Sequence, residues 1–307
     1  MINRRDNRDE GEDSQVSGVL VVDKPIGMTS HDVVDVIRRG TNIRRAGHTG
    51  TLDPRASGVL VILIGPAVRL SEFVSASDKR YHATLRLGSS TNTFDGEGVI
   101  TSSASAANID QEQFEHTLDQ FVGEIQQVPP PYSAIKIKGR KAYEMARQGE
   151  EVILEPRTIH VYSLELLEWD PPEAVLDVFC SSGTYVRSLA NDVGTSLGCG
   201  AHLVGLRRTQ SGRFTLRDAI SLNRLQEAFT ARNWYRYLIP AAEALSHWPM
   251  VELDADQVEL VRHGHRVPAE AGSNGWVRGV SEQGDLVALL ELDEATMEWQ
   301  PRKVFLS

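Results

Sequence analysis

The sequence predicts a mixed α/β (α+β) chain, with one large domain over residues 18–246 and a small β-rich domain over 247–307. Three observations carry this. Lys79 to Gly88 alternates polar with apolar residues, the period of a strand with one buried face. Val186, Leu189, Ala190, Val193 and Leu197 fall on one face of a helix. From about His247 the pattern changes to a short helix, Ala255 to His263, followed by several short strands ending at Val304-Phe305-Leu306. At 307 residues the chain exceeds one average domain, in keeping with a large unit plus a small one.

In chain order, Gly18 to Val22 is a continuous apolar run read as a buried strand, and Asp23 to Gly27 turns the chain. Ser30 is read as the N-cap of a short helix with Val33, Val34 and Ile37 inward and Gly40 as its stop. Val59 to Ile64 is a second buried strand, Ala67 to Phe73 a helical turn or two, and residues 89–109 a loop rich in Ser, Thr, Asn and Gly. Gln111 to Phe121 is a helix with Phe114, Leu118 and Phe121 inward. Residues 158–168 and 174–181 are strands, Thr184 caps the next helix, and Ala201 to Phe214 is a strand with a basic end at Arg207, Arg208 and Arg213.

The composition, 41% hydrophobic and 24% charged, is that of a soluble globular protein, and no apolar run reaches the length of a membrane-spanning helix. Residues 1–17 are expected to be a disordered, charged tail with no secretory segment. Cys180 and Cys199 cannot build a disulfide framework and lack metal-ligand spacing, which fits a reducing cytoplasm. The net charge of −10 argues at first against a polyphosphate partner. Its distribution qualifies that argument: residues 241–307 carry 5 Lys/Arg against 12 Asp/Glu, and residues 1–17 carry 3 against 5. The middle of the chain is therefore near neutral and can hold local basic patches.

Three stretches carry candidate chemistry. The first, A-G-H-T-G-T-L-D-P-R-A-S-G at 46–58, sets His48 and Asp53 among glycines and a proline, residues that shape a loop and can aim a side chain. Asp53 also fits an ordinary Asx turn, and the upstream Lys24 reads equally as a solvated turn lysine or as a phosphate or active-site contact. The second is an insert over about 127–150, in which Pro129 to Pro131 stiffen the entry and Ile135 and Ile137 alternate with Lys136 and Lys138, with Arg140 following. A basic flap lying on a phosphate backbone is favoured over a solvated edge strand. The third is S-G-T-Y-V-R at 182–187, where Tyr185 and Arg187 lie off the inward stripe. An arginine at a helix start opposes the dipole, so some other group must hold Arg187 there.

Six segments together resemble the bacterial tRNA pseudouridine synthase B (TruB) family: Val22 to Pro25 with Gly27 to Ser30, G-H-T-G-T-L-D-P at 47–54, Lys79-Arg80-Tyr81, the Val128 to Gly139 insert, S-G-T-Y-V-R, and G-A-H-L-V-G-L-R-R at 200–208. The resemblance covers residues 18–215, and residues 247–307 are similar, more faintly, to that family's PUA-type RNA-binding domain. It implies a pseudouridine synthase fold with a mixed, mostly antiparallel central sheet and a small C-terminal PUA-like β-barrel. It implies an isomerase that converts uridine 55 in the T-arm loop of tRNA to pseudouridine, with no cofactor and no metal. The Val128 to Arg147 insert favours a stand-alone enzyme with no guide RNA, the lack of a long apolar run means no membrane, and a monomer in the cytoplasm is expected. Asp53 falls on the catalytic aspartate, Tyr81 on the tyrosine packed against the target base, and Arg187 on the arginine paired with the aspartate. His48, Tyr185 and Leu206 fall on substrate-contacting positions, to which the residue reading adds Lys24, Lys136, Lys138 and Arg140.

These residue types suit that reaction. Breaking the N-glycosidic bond and rejoining the ring through carbon needs a carboxylate beside the ribose, as nucleophile at C1′ or as base at C2′. An adjacent arginine keeps such a carboxylate ionised, a tyrosine ring stacks on uracil, and the base must leave its stack to be reached. Two other readings stand beside this one: a tRNA-binding chaperone, and the guide-RNA-dependent branch of the same superfamily.

Overall fold

The computed structural model describes residues 16–133, 135–137 and 139–306, with residues 136 and 141 described by their main chain alone. Most of the tail expected over 1–17 therefore lies outside the described residues. The chain divides into two compact units: Met1–Pro54 with Gly58–Ser75 and Arg213–Ser307, and Arg55–Ser57 with Ala76–Gly212.

The first unit opens on β1 (Gly18–Lys24), whose Val19 to Val22 are wholly buried, as its unbroken apolar run requires. Next comes α1 (Ser30–Thr41), then β2 (Ala46–His48) and β3 (Ala56–Ile64). β3 runs antiparallel to β1 from Gly18↔Ile64 to Lys24↔Gly58, and antiparallel to β2 with His48 opposite Ile62. The stretch at 46–58 thus begins as a strand, and only its middle is loop. Thr29, not Ser30, caps α1: its side chain accepts from the Asp32 N–H while Asp32 accepts from the Thr29 N–H. Gly40 does not stop α1, which runs on to Thr41 and ends at Asn42 in the left-handed conformation. A short α2 (Ser71–Ser75) closes this part.

The second unit is a sheet with two helices packed on it. Its elements are β4 (Lys79–Leu87), β5 (Ser89–Thr91), β6 (Ile100–Ser103), α3 (Gln111–Asp119), β7 (Gly123–Gln127), β8 (Lys136–Ile137), β9 (Arg140–Lys141), α4 (Ala142–Arg147), β10 (Arg157–Asp170), β11 (Glu173–Cys180), α5 (Val186–Ser196) and β12 (Ala201–Ser211). The strands lie in the order β12-β4-β11-β10-β7, each antiparallel to its neighbours. Along β4, Tyr81, Ala83, Leu85 and Leu87 are buried while Arg80, His82, Thr84 and Arg86 take the other face, the alternation read from the sequence. Phe114 of α3 is wholly buried with its ring 4.9 Å from Trp169 of β10. The predicted loop over 89–109 instead folds β5 and β6 into a hairpin. Thr184 does not cap α5: its hydroxyl donates to the Ser181 carbonyl and Tyr185 takes the cap position.

Residues 213–307 return to the first unit. Val22 pairs in parallel with Ile220, and a helix follows at Leu222–Thr230. Strands Met250–Leu253, Val267–Pro268, Trp276–Ser281, Leu286–Asp293 and Glu298–Val304 form a separate sheet, curled as a half-barrel, beside the helix Ala255–Arg262. Leu253, Val261, Val287, Leu290 and Trp299 make its inner core. Val280, Leu286, Leu289 and Phe305 instead join Val19, Val21, Val59, Val61 and Leu63 in one apolar cluster. Beyond 247 the chain thus has a core of its own and also shares an apolar cluster with β1 and β3.

Gly40 shows how closely this unit is packed. A Cβ at that position would lie 2.1 Å from the ring of Phe229. Gly40→Ala is expected to lower stability by about 1–3 kcal/mol through overpacking, read by urea unfolding. An unchanged midpoint would mean that α1 and the 222–230 helix do not meet there.

Candidate active site

Asp53 stands between two residues whose main chains are tied down from α1 and the turn before it. On one side, the Ser30 hydroxyl accepts from the Leu52 N–H at 2.8 Å and donates to the Leu52 carbonyl at 3.0 Å. Ser30 can do this because Thr29 has taken the capping role. On the other side, the Pro54 carbonyl accepts from the Gly27 N–H at 2.8 Å, and the Lys24 ammonium reaches it at 3.5 Å. Gly27 has φ +91, which its side-chain-free backbone adopts without strain. Asp53 is half-buried on this doubly anchored loop.

Lys24 is not the solvated turn lysine that the sequence allowed: it is 0% exposed, and its ammonium donates to the carbonyls of Pro25 at 2.9 Å and Met28 at 2.7 Å. The turn over 25–28 wraps the charge in backbone oxygen. His48 is half-buried at the end of β2, and the following Thr49 N–H donates to the Val61 carbonyl at 3.1 Å, which fixes the entry to the loop.

In the second unit, β4 and β12 set Tyr81 opposite Arg208 and Ala83 opposite Leu206, so Tyr81 and Leu206 share one face of the pair. Arg187, in the first turn of α5, is 8% exposed. Its Nη1 donates to Asp95 Oδ2 at 3.2 Å and to the Thr93 carbonyl at 3.2 Å, and its Nη2 donates to the Tyr132 carbonyl at 3.1 Å. These groups answer the unfavourable dipole at that helix start. Asp95 is held in turn: its Oδ1 accepts from the Thr93 hydroxyl at 2.6 Å and from the Glu97 N–H at 3.1 Å. The loop carrying it is pinned to β12 by bonds between Leu203 and the main chain of Phe94 and Gly96. Sequence reasoning missed Asp95. The only signal was indirect, an arginine at a helix start that needed an anion.

Tyr185 stands half-buried before Arg187, with the Arg157 guanidinium 4.5 Å from its ring centroid. In the flap, Lys136 pairs with Lys141 and Ile137 with Arg140 across β8 and β9. Lys138 lies outside the described residues. Arg140 is exposed but engaged: it donates to Glu150 at 2.7 and 3.1 Å and to Gln148 at 2.6 Å. A phosphate would have to displace these acceptors.

Residues 38–186 match the model of the TruB family pseudouridylate synthase (N terminal domain), and residues 187–246 match that of the tRNA pseudouridylate synthase B C-terminal domain. The chain is 42% identical over 293 residues to the tRNA pseudouridine synthase B of Dechloromonas aromatica (strain RCB), spanning 95% of this chain and 97% of the relative. The chain belongs to the tRNA pseudouridine synthase B family. A second member of that family, from Symbiobacterium thermophilum, is 46% identical over 254 residues, 82% of this chain and 83% of its own. Among solved structures, the chain is similar to the crystal structure of a Cbf5-Nop10-Gar1 complex, with a TM-score of 0.73 at 29% identity over 94% of this chain and 84% of that one.

Lys79 lies two residues before Tyr81 on the same buried face of β4. Burial, with the nearby charge of Arg208 adding to it, pushes its amine down from 10.5 to about 8. The unfolded chain holds that proton up to its ordinary value, so between these pH values it binds more protons than the folded chain. Stability from this group is therefore expected to rise as pH climbs from about 8 towards 10.5, the penalty of burying the charged amine being in force below 8. Lys79→Met should flatten the rise in unfolding free energy measured by urea titration across this range. An unchanged slope would assign the rise to other groups.

Proposed function

We propose that this family member is a stand-alone isomerase that converts uridine 55 in the T-arm loop of tRNA to pseudouridine. The observation that carries the reading is the Asp53 loop, anchored at Leu52 by Ser30 and at Pro54 by Gly27 and Lys24. A loop anchored in this way limits the backbone reorganisation needed to bring its carboxylate to the ribose. Asp53 acts beside the ribose, as nucleophile at C1′ or as base at C2′, while the N-glycosidic bond breaks and the ring rejoins through C5 with loss of the C5 proton. Tyr81 and Leu206 line the side of the flipped base, Arg187 supplies a fixed positive charge, and His48 supports the vacated place in the loop. Lys136, Lys138 and Arg140 draw the RNA backbone to the flap.

The likeness to a Cbf5-Nop10-Gar1 complex is what favours a reading in which partner proteins are needed. The higher identity to tRNA pseudouridine synthase B relatives, and the flap between β7 and β10, support action on tRNA alone. A monomer in the cytoplasm is part of the same proposal. A purely RNA-chaperoning role would leave the double anchoring of Asp53 without purpose.

Asp53→Asn is expected to abolish tritium release from C5-labelled uridine in a T-arm transcript under single-turnover conditions while tRNA affinity stays close to wild type. Turnover near the wild-type rate would remove Asp53 from the chemistry. Neutralising Lys136, Lys138 and Arg140 together should flatten the salt dependence of tRNA binding by up to about three phosphate contacts. An unchanged slope would turn the flap's basic face to solvent.

A further inference from the structure

Gln127, the last residue of β7, and Arg157, the first of β10, face each other across that strand pair. Both hold the same residue. Gln127 is 0% exposed; its Oε1 accepts from the Tyr185 N–H at 2.8 Å and its Nε2 donates to the Tyr185 carbonyl at 3.1 Å. Tyr185 is the N-cap of α5 and makes no side-chain capping bond of its own, so the amide of Gln127 serves the N–H that the helix start leaves open and adds a second bond to a carbonyl that already accepts from the Leu189 N–H.

Arg157 holds the other end of the residue. Its guanidinium carbon lies 4.5 Å from the Tyr185 ring centroid. Its Nε and Nη2 are shut off from solvent and have no hydrogen-bond acceptor among the described residues. A guanidinium in that condition is held by the ring face it covers, and the ring so covered keeps only its other face for stacking.

We propose that Gln127 and Arg157 are positioning residues that preset Tyr185 from the β7–β10 pair, one gripping its main chain and the other its ring, so that it meets the target nucleoside with a single fixed face. The proposal rests on the reading of Tyr185 as a substrate contact. Neither residue touches the RNA, and each acts through Tyr185 alone.

The test is a double-mutant cycle on single-turnover pseudouridine formation, with tRNA affinity measured in parallel. Arg157→Met should slow the reaction by about 10- to 100-fold, the order expected for a misplaced positioning group, while the Kd for tRNA changes by no more than about two-fold. Arg157→Lys, which keeps a cation over the ring, should recover most of the rate. In the Tyr185→Leu background, Arg157→Met should cause no further loss. A wild-type rate in Arg157→Met would overturn the proposal, as would losses that multiply in the double variant. Weaker tRNA binding with a reduced salt slope would also overturn it, because Arg157 would then be a direct phosphate contact. Gln127→Met removes the main-chain clamp and keeps the ring contact, so it runs the same cycle should Arg157→Met not fold; multiplicative losses there overturn the proposal on their own. Full activity in Tyr185→Leu would instead overturn the substrate role of Tyr185, and the proposal with it.

Discussion

A buried ammonium holds the candidate chemistry in place. Lys24 is closed off from solvent and directs its charge at the backbone carbonyls of Pro25, Met28 and Pro54. Burying such an ion carries an effective penalty of several kcal/mol unless backbone dipoles and partners offset it, so the turn and the Asp53 loop must keep the geometry that supplies those oxygens. Ser30 repeats the constraint from the other side, meeting both polar groups of Leu52. Asp53 lies between two fixed neighbours and inherits their position. The capping of α1 belongs to the same arrangement, since Thr29 and Asp32 satisfy the helix end and release Ser30 for the loop.

The second unit reaches comparable order by other means. Arg187 is buried at a helix start, where the dipole opposes it, and three acceptors on Asp95, Thr93 and Tyr132 offset that. Two of the acceptors sit on the loop between β5 and β6, and the third on the segment leading into the flap, so one side chain ties two separate pieces of chain to α5. Tyr81 and Leu206 take their places from strand register alone. A shift of one residue in β4 would turn Tyr81 to the opposite face.

Much of the framework was legible because its signals are local. The alternation over 79–88 and the apolar runs at 18–22 and 59–64 correspond to β4, β1 and β3, and the inward stripe from Val186 corresponds to α5. What escaped the sequence depends on partners distant along the chain. Ser30 looked like a cap because it precedes an apolar stripe, but its bond partner lies 22 residues away. Asp95 looked like loop because its stretch is polar, and the group it holds is 92 residues on. Lys24 read equally as a solvated lysine or as a phosphate or active-site contact, because nothing in V-D-K-P says that a turn will close over it. The break in pattern at 247 marked a new sheet, but the apolar face that joins this sheet to Val19 and Val59 has no local sign.

The central claim is that an aspartate held rigidly on its loop isomerises one uridine of tRNA without a guide. The most direct measurement is mass-spectrometric mapping of pseudouridine in bulk unmodified tRNA after incubation with this protein alone. The account predicts a single new pseudouridine, at position 55 of the T-arm loop. No pseudouridine, a different position, or conversion only after a guide RNA and partner proteins are added would contradict it.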